Sequence, residues 1–107
     1  MKTQYVIVLV TTQNKQEAET MAQSLLEQKL IACANILGPM TSHFYWSDKI
    51  EKAEEFLLLM KSQLNMFDKI AAAVNKLHSY DVPEVLALPI VVGSEAYLSW
   101  LDRSLIR

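Results

Sequence analysis

Two stretches of this 107-residue chain have the apolar pattern of single β-strands. Residues 5–10 are a continuous, mostly β-branched run, which is typical of a central strand covered on both faces. Residues 84–92 form a second apolar stretch that contains Pro89. Proline cannot donate to a sheet, so this strand is predicted to lie at an edge or to be locally broken.

Between them, the pattern predicts a long β-hairpin. Residues 31–46 and 50–61 read as two strands joined by a two-residue loop that contains Asp48. Asp tolerates the left-handed backbone that such a turn requires. Gly38-Pro39 interrupts the first strand and predicts a bulge or bend there.

Three further stretches have apolar residues at helical spacing. Asn14 opens the first, with Glu17 three residues later in the capping-box position, and this helix is expected to end near Leu30. The second helix is predicted over residues 64–77. Ser94 is the expected N-cap of the last helix.

The predicted order is βαββαβ followed by a terminal helix. This is the ferredoxin-like split-βαβ pattern, an α+β fold with a four-stranded antiparallel sheet, here as one domain over residues 1–107. Helices on one face leave the other face bare, with Leu57 and Leu59 on it. Either further copies of the chain cover this face around a symmetry axis, or the terminal helix covers it alone.

Composition and charge narrow the function classes. Half of the residues are apolar and the formal net charge is −2, with no run of Lys or Arg, which argues against a nucleic-acid partner. No segment has the length of a membrane span or of a signal-peptide core, so the expected partners exclude membranes and the expected location is cytoplasmic. Cys33 is the only cysteine, so no disulfide can form within the chain.

Several short motifs, in matching order across nearly the whole chain, resemble the CutA divalent-cation-tolerance family. They are Ala32-Cys33-Ala34-Asn35, Thr41-Ser42, Tyr45-Trp46, Lys49-Ile50-Glu51, Glu55, the stretch from His78 to Glu84, Leu88-Pro89-Ile90 and Tyr97-Leu98-Ser99-Trp100. The resemblance implies a compact homotrimer, similar in architecture to the PII signalling proteins. It also implies a link to tolerance of copper and other divalent metals.

Copper prefers thiolate and imidazole ligands, so Cys33 and His78 are the candidate metal ligands. Two departures from the best-known metal-binding members of the family bear on this hypothesis. Val10 stands where those members carry a cysteine, and Leu77 precedes His78 where they carry a His-His pair. The structural alternatives are a buried, apolar role for Cys33 and, for His78 at a helix end, an imidazolium that satisfies the last helix carbonyls and the helix dipole. His43 is expected to face solvent.

A small-ligand cleft is a second candidate site, because aromatic walls with a few charged groups are typical of such clefts. Its predicted residues, some of which the resemblance places between subunits, are Trp46, Glu55, Lys61, Tyr80, Glu84 and Trp100. The alternative is that the tryptophans pack at an interface and the charges form a solvated rim.

No catalytic group can be named. Both glycines are isolated, so there is no phosphate-binding loop, and Cys33 has no cationic neighbour in sequence. We therefore expect a trimeric, metal-responsive or small-ligand-binding protein that is not an enzyme and has no organic cofactor. The alternative is a structural, scaffolding or signalling trimer that binds no metal.

Overall fold

The computed structural model describes residues 4–106, so residues 1–3 and 107 of the predicted domain lie outside the described part. The elements occur in the predicted order, and a short 3₁₀ turn over Leu64–Met66 precedes the second helix. They are β1 (Tyr5–Thr12), α1 (Lys15–Glu27), β2 (Cys33–Trp46), β3 (Lys49–Gln63), α2 (Phe67–Leu77), β4 (Val85–Pro89) and α3 (Glu95–Ser104).

The four strands form one antiparallel sheet in the order β2-β3-β1-β4. This order confirms the ferredoxin-like arrangement. Strand β4 pairs only with β1 and is an edge strand, as Pro89 predicted. The predicted extension of β4 to residue 92 is wrong, because the strand ends at Pro89 and the side chain of Val91 is 93% exposed.

Within the single chain, β1 is covered on one face only, and not on both as predicted. Its residues alternate strictly in burial, with Val6, Val8 and Val10 fully inside the core under the helices. Ile7 and Leu9 point to the other face and are only partly buried. A strand with one covered face shows this period of two, which a continuous apolar sequence hides.

The open face of the sheet carries apolar side chains, as expected. Leu57 is partly buried there, while Leu86 is 52% and Leu88 47% exposed. Helix α3 reaches only one end of this face, where Gln63 donates a hydrogen bond of 2.7 Å to the Asp102 carboxylate. The terminal helix alone therefore does not cover the face.

The helix starts follow their predicted caps. The Asn14 side chain accepts a hydrogen bond of 2.8 Å from the backbone N–H of Glu17, and Ser94 caps α3 by accepting from Tyr97. Glu17 accepts from the N–H of Gln13 rather than from Asn14, so the capping box is displaced by one residue. Helix α2 begins at Phe67, after the 3₁₀ turn, and not at residue 64.

The hairpin is as long as predicted and extends past the rest of the sheet. Strand β1 ends opposite Phe56, so the distal residues 40–55 pair only within the hairpin. The loop residues Ser47 and Asp48 both have positive φ, at 53° and 63°, which is the backbone of a two-residue hairpin turn.

The interruption at Gly38-Pro39 is a β-bulge, as predicted. Leu37 pairs with Leu57 while Met40 pairs with Glu55, so β2 carries one residue more than β3. Gly38 has a φ of +146°, and a Cβ at this position would lie 2.7 Å from Cδ2 of Phe56. The bulge thus requires glycine both for its backbone and for the close approach of the Phe56 ring.

We expect Gly38→Ala to lower the free energy of unfolding by about 1–3 kcal/mol, because the new methyl group meets Phe56 and the backbone is strained. Urea unfolding at one fixed protein concentration measures the change. Gly93→Ala is the control, since Gly93 has no positive φ and the three atoms nearest to its Cβ, at 3.0–3.3 Å, all belong to the flexible side chain of Leu98. Equal destabilisation by both variants would contradict the account.

Candidate ligand-binding groove

A groove of about 880 Å³ lies where the hairpin leaves the sheet. The distal hairpin from Met40 to Trp46, the end of β1 and the loop of residues 80–84 form its walls. The lining residues are Leu9, Thr11, Met40, Ser42, His43, Phe44, Trp46, Ala53, Glu55, Leu57, Tyr80, Asp81, Val82 and Glu84.

The hairpin wall follows from strand alternation. Met40, Ser42, Phe44 and Trp46 stand two residues apart on β2, so their side chains share one face. Glu55 is directly opposite Met40 on β3 and shares that face. Because the bulge just precedes Met40, it sets which side chains of the distal hairpin face the groove.

The loop wall is held by His78, the residue that follows α2. Its Nε2 lies 2.6 Å from the carbonyl oxygen of Thr11, and its Nδ1 accepts a hydrogen bond of 3.0 Å from the N–H of Tyr80. These contacts assign the neutral ring with the proton on Nε2. The predicted role of an imidazolium on the last helix carbonyls is wrong: only the backbone N–H of His78 bonds to the helix, at Val74.

A second contact ties the same loop to α1. The Glu17 carboxylate accepts a hydrogen bond of 2.8 Å from the backbone N–H of Ser79. Partial burial raises the pKa of Glu17, but the hydrogen bonds from Ser79 and Gln13 outweigh it, so the pKa lies below its usual 4.5. The carboxylate therefore stays ionised and holds the loop at neutral pH.

Tyr80 and Glu55 form the polar centre of the groove. The Tyr80 hydroxyl donates a hydrogen bond of 2.8 Å to Oε2 of Glu55, and the Glu55 side chain is only 6% exposed. Burial, together with the bond and charge of Glu55, raises the pKa of Tyr80 to about 12. Tyr80 is thus a fixed donor at physiological pH and directs the carboxylate into the groove.

Four of the six predicted cleft residues meet in this groove, namely Trp46, Glu55, Tyr80 and Glu84. Lys61 and Trp100 do not. The Lys61 ammonium donates a hydrogen bond of 2.7 Å to Asn35, and the Trp100 ring lies 5.3 Å from that of Tyr97, both within α3.

The two predicted metal ligands are not brought together within one chain. Cys33 is opposite Lys61 on β3, whereas the His78 ring contacts Thr11, which is opposite Leu57. Lys61 and Leu57 are four positions apart along β3, or roughly 13 Å at about 3.3 Å per residue. Among residues 4–106, no group of three or more His, Cys, Asp or Glu side chains could hold a metal ion.

Cys33 and His43 differ in how well their surroundings were predicted. Cys33 is not a fully buried apolar residue but partly exposed, with its Sγ 3.8 Å from the Tyr97 hydroxyl. His43 is exposed, as expected.

Sequence reasoning missed several groove residues, including Met40, Phe44 and Asp81. The signal was present for the first two, because they stand at even spacing from Trp46 along β2. Asp81 is adjacent to Tyr80 in sequence, and only the fixed loop shows that both line the groove.

The family model of the CutA1 divalent ion tolerance protein matches residues 6–104. The chain belongs to the CutA family. The match begins in β1 and ends in α3, so it includes the hairpin and the groove.

Named relatives agree with this membership. This CutA chain is 41% identical, over 98 residues, to the divalent-cation tolerance protein CutA of Thermus thermophilus, covering 92% of this chain and 95% of the relative. It is 39% identical over 99 residues to the chloroplastic protein CutA of Arabidopsis thaliana. That match covers 92% of this chain but only 54% of the plant protein, so the chain spans about half of its length.

The solved structures agree as well. The divalent cation tolerance protein from Thermus thermophilus superposes with a TM-score of 0.92 at 39% identity, covering 94% of this chain and 98% of that one. CutA1 from Oryza sativa gives a TM-score of 0.93 at 38% identity, covering 96% of this chain and 94% of that one.

Among the described residues of this CutA chain, no helix is both long and apolar enough to cross a membrane.

We expect Tyr80 to be among the last tyrosines to ionise, near pH 12 rather than near pH 10. Because its folded pKa is raised, the stability linked to Tyr80 is complete below about pH 10 and is lost as the pH rises to about 12. The difference in tyrosinate absorbance between the native protein and Tyr80→Phe measures this step.

Tyr45→Phe is the matched control, because Tyr45 is 76% exposed at the hairpin turn, and it should leave the late step in place. Circular dichroism must show folded protein across the range. A Tyr80 step near pH 10 in folded protein would refute the buried hydrogen bond.

Proposed function

We propose that this CutA chain is a divalent-cation tolerance protein that acts as a homotrimer and binds a metal ion or a small ligand without catalysing a reaction. The observation that carries the proposal is the match, over nearly the whole chain, to proteins of that name with the same fold. The proposed site lies between subunits, in or beside the groove.

The surface of the single chain supports the homotrimer. Its open sheet face, the exposed Val91 after β4 and the long free edge of β2 are all features that soluble proteins normally cover. Three copies around one axis, in the manner of the PII proteins, would cover them and would leave the part of this face that lines the groove as a cleft between subunits. The protruding hairpin would then lie against a neighbouring subunit.

For the metal, we propose copper or another divalent cation, with Cys33 and His78 as ligands and no organic cofactor. Since one chain does not bring these side chains together, the site would have to combine residues of two subunits. The His78 ring would also need to release one of its two hydrogen bonds to coordinate a metal.

The contacts of Cys33 support a non-enzymatic protein. Among the described residues, its one hydrogen-bond partner through the side chain is the Tyr97 hydroxyl. Burial and the neighbouring Cys33 raise the pKa of Tyr97, so this phenol keeps its proton and is a poor base at neutral pH. The Tyr97 hydroxyl therefore does not activate the thiol as a nucleophile.

The second candidate function is a scaffolding or signalling trimer that binds no metal physiologically. The specific observation in its favour is the lack of any three-ligand metal group within residues 4–106. In this alternative the assembled surface, and not a bound ion, is what partners recognise.

We also propose a cytoplasmic location and no nucleic-acid partner, on the grounds of the single cysteine, the net charge of −2 and the absence of a basic run. Fractionation of cells that make the native chain tests the location. Recovery with a membrane or with a cell-envelope fraction would contradict it.

For the assembly, we expect a three-chain mass by sedimentation equilibrium, and we expect Leu88→Lys to shift the protein towards monomer. A charge on the open face would have to be buried between subunits, at a cost of a few kcal/mol. Leu26→Lys, on the outer surface of α1 and comparably exposed, is the control and should remain trimeric. A native monomer, or a trimeric Leu88→Lys protein, would contradict the proposed interface.

For the metal, calorimetry with copper(II) alone should give heat for the native trimer. Cys33→Ser and His78→Gln should each weaken binding at least about tenfold, because each removes one of few ligands. Glu54→Gln is the control and should bind normally, because Glu54 is exposed and does not line the groove. No heat from the native trimer would remove the metal from the proposed function and favour the scaffolding alternative.

A further inference from the structure

The acidic side chains that line the groove have no lysine or arginine beside them among the described lining residues. They are the three carboxylates of Glu55, Asp81 and Glu84. Lys61, further along the same face of β3, has its ammonium on Asn35. A groove lined by one sign of charge concentrates ligands of the opposite sign.

Glu55 differs from the other two because it is almost completely buried. Its Oε2 accepts from Tyr80, and no described group donates to Oε1. No described side-chain polar atom is both sealed from solvent and without a partner, so Oε1 keeps some exposure to solvent, and Glu55 is a lining residue of the groove. A buried carboxylate oxygen without a protein donor is a site for a donor from a ligand, and a cationic donor gains most there.

The rest of the lining selects the kind of cation. Phe44, Trp46 and Tyr80 supply aromatic walls, which attract organic cations through their ring faces. Leu9 and Leu57 supply an apolar floor for a hydrocarbon body. The volume of about 880 Å³ is within the range of small-molecule sites.

We propose that the groove binds an organic cation, an ammonium or guanidinium group carried on an apolar or aromatic body, with Glu55 Oε1 as its anchor. The inference rests on the proposed small-ligand function and names its ligand class. A divalent metal fits less well, because Tyr80 occupies one oxygen of Glu55 and no three-ligand group is present in the described part of the chain.

The test titrates the native trimer with 2-phenylethylammonium and, separately, with its neutral counterpart 2-phenylethanol and with phenylpropanoate, followed by tryptophan fluorescence and calorimetry. We expect the ammonium to bind at least about tenfold more tightly than either, which corresponds to about 1.4 kcal/mol. Equal affinities would overturn the proposal.

Glu55→Gln is the decisive variant, because the amide keeps an acceptor for Tyr80 but removes the charge. It should abolish the preference for the ammonium. Glu54→Gln is the matched control, since Glu54 is exposed, is opposite Thr41 and does not line the groove, and it should keep the preference. Trp46→Ala should weaken binding of 2-phenylethylammonium several-fold and binding of 2-phenylethanol less.

Two other outcomes would assign the groove to a different occupant. If the native trimer binds copper(II) alone, Glu55→Gln loses this binding and neither protein prefers the ammonium, the groove is a metal site. Loss of trimer in Glu55→Gln, again with no ammonium preference, would indicate that a cation of a neighbouring subunit fills it. A trimer that binds copper elsewhere but shows no ammonium preference would leave the proposed function intact and overturn only this inference.

Discussion

The arrangement of this protein depends on a sheet that its own helices cover on one face only. Along β1 the side chains of Val6, Val8 and Val10 enter the core while Ile7 and Leu9 face the open side, and the same division continues across β3 and β4. Burial under α1 and α2 stabilises the single chain. The open side leaves apolar area whose burial can stabilise an assembly. Both the fold and the proposed trimer therefore follow from the alternation of side chains along the strands.

The groove is a consequence of the same geometry at the point where β1 ends. Beyond Thr12 no described strand pairs with the β3 edge of the hairpin. The loop after α2 lies there instead and forms the groove together with the hairpin. His78 joins that loop to β1, Glu17 joins it to α1, and Tyr80 joins it to Glu55. A buried carboxylate thus belongs to a chain of hydrogen bonds that starts at the helix layer, which fixes its position before any ligand arrives.

Local patterns in the sequence were enough for the element order, the Asn14 and Ser94 caps, the Ser47-Asp48 turn and the bulge at Gly38. They were not enough to say which face of β1 is open, because valines, isoleucine and leucine follow one another without a polar residue. Aromatic and charged residue types identified Trp46, Glu55, Tyr80 and Glu84, which do meet in the groove. Lys61 and Trp100 do not join them within one chain, because Lys61 contacts Asn35 on β2 and Trp100 contacts Tyr97 in α3.

His78 shows why residue type alone overstates the case for a metal. An imidazole with one nitrogen on a backbone oxygen and the other accepting a backbone N–H has no free lone pair, and its contacts are those of a structural spacer. The histidine then matters to the groove indirectly, because it positions Tyr80, which in turn directs Glu55. A substitution at His78 that impaired ligand binding would therefore not by itself identify a metal ligand, whereas one at Glu55 that kept Tyr80 in place would report directly on the charge at the groove's centre.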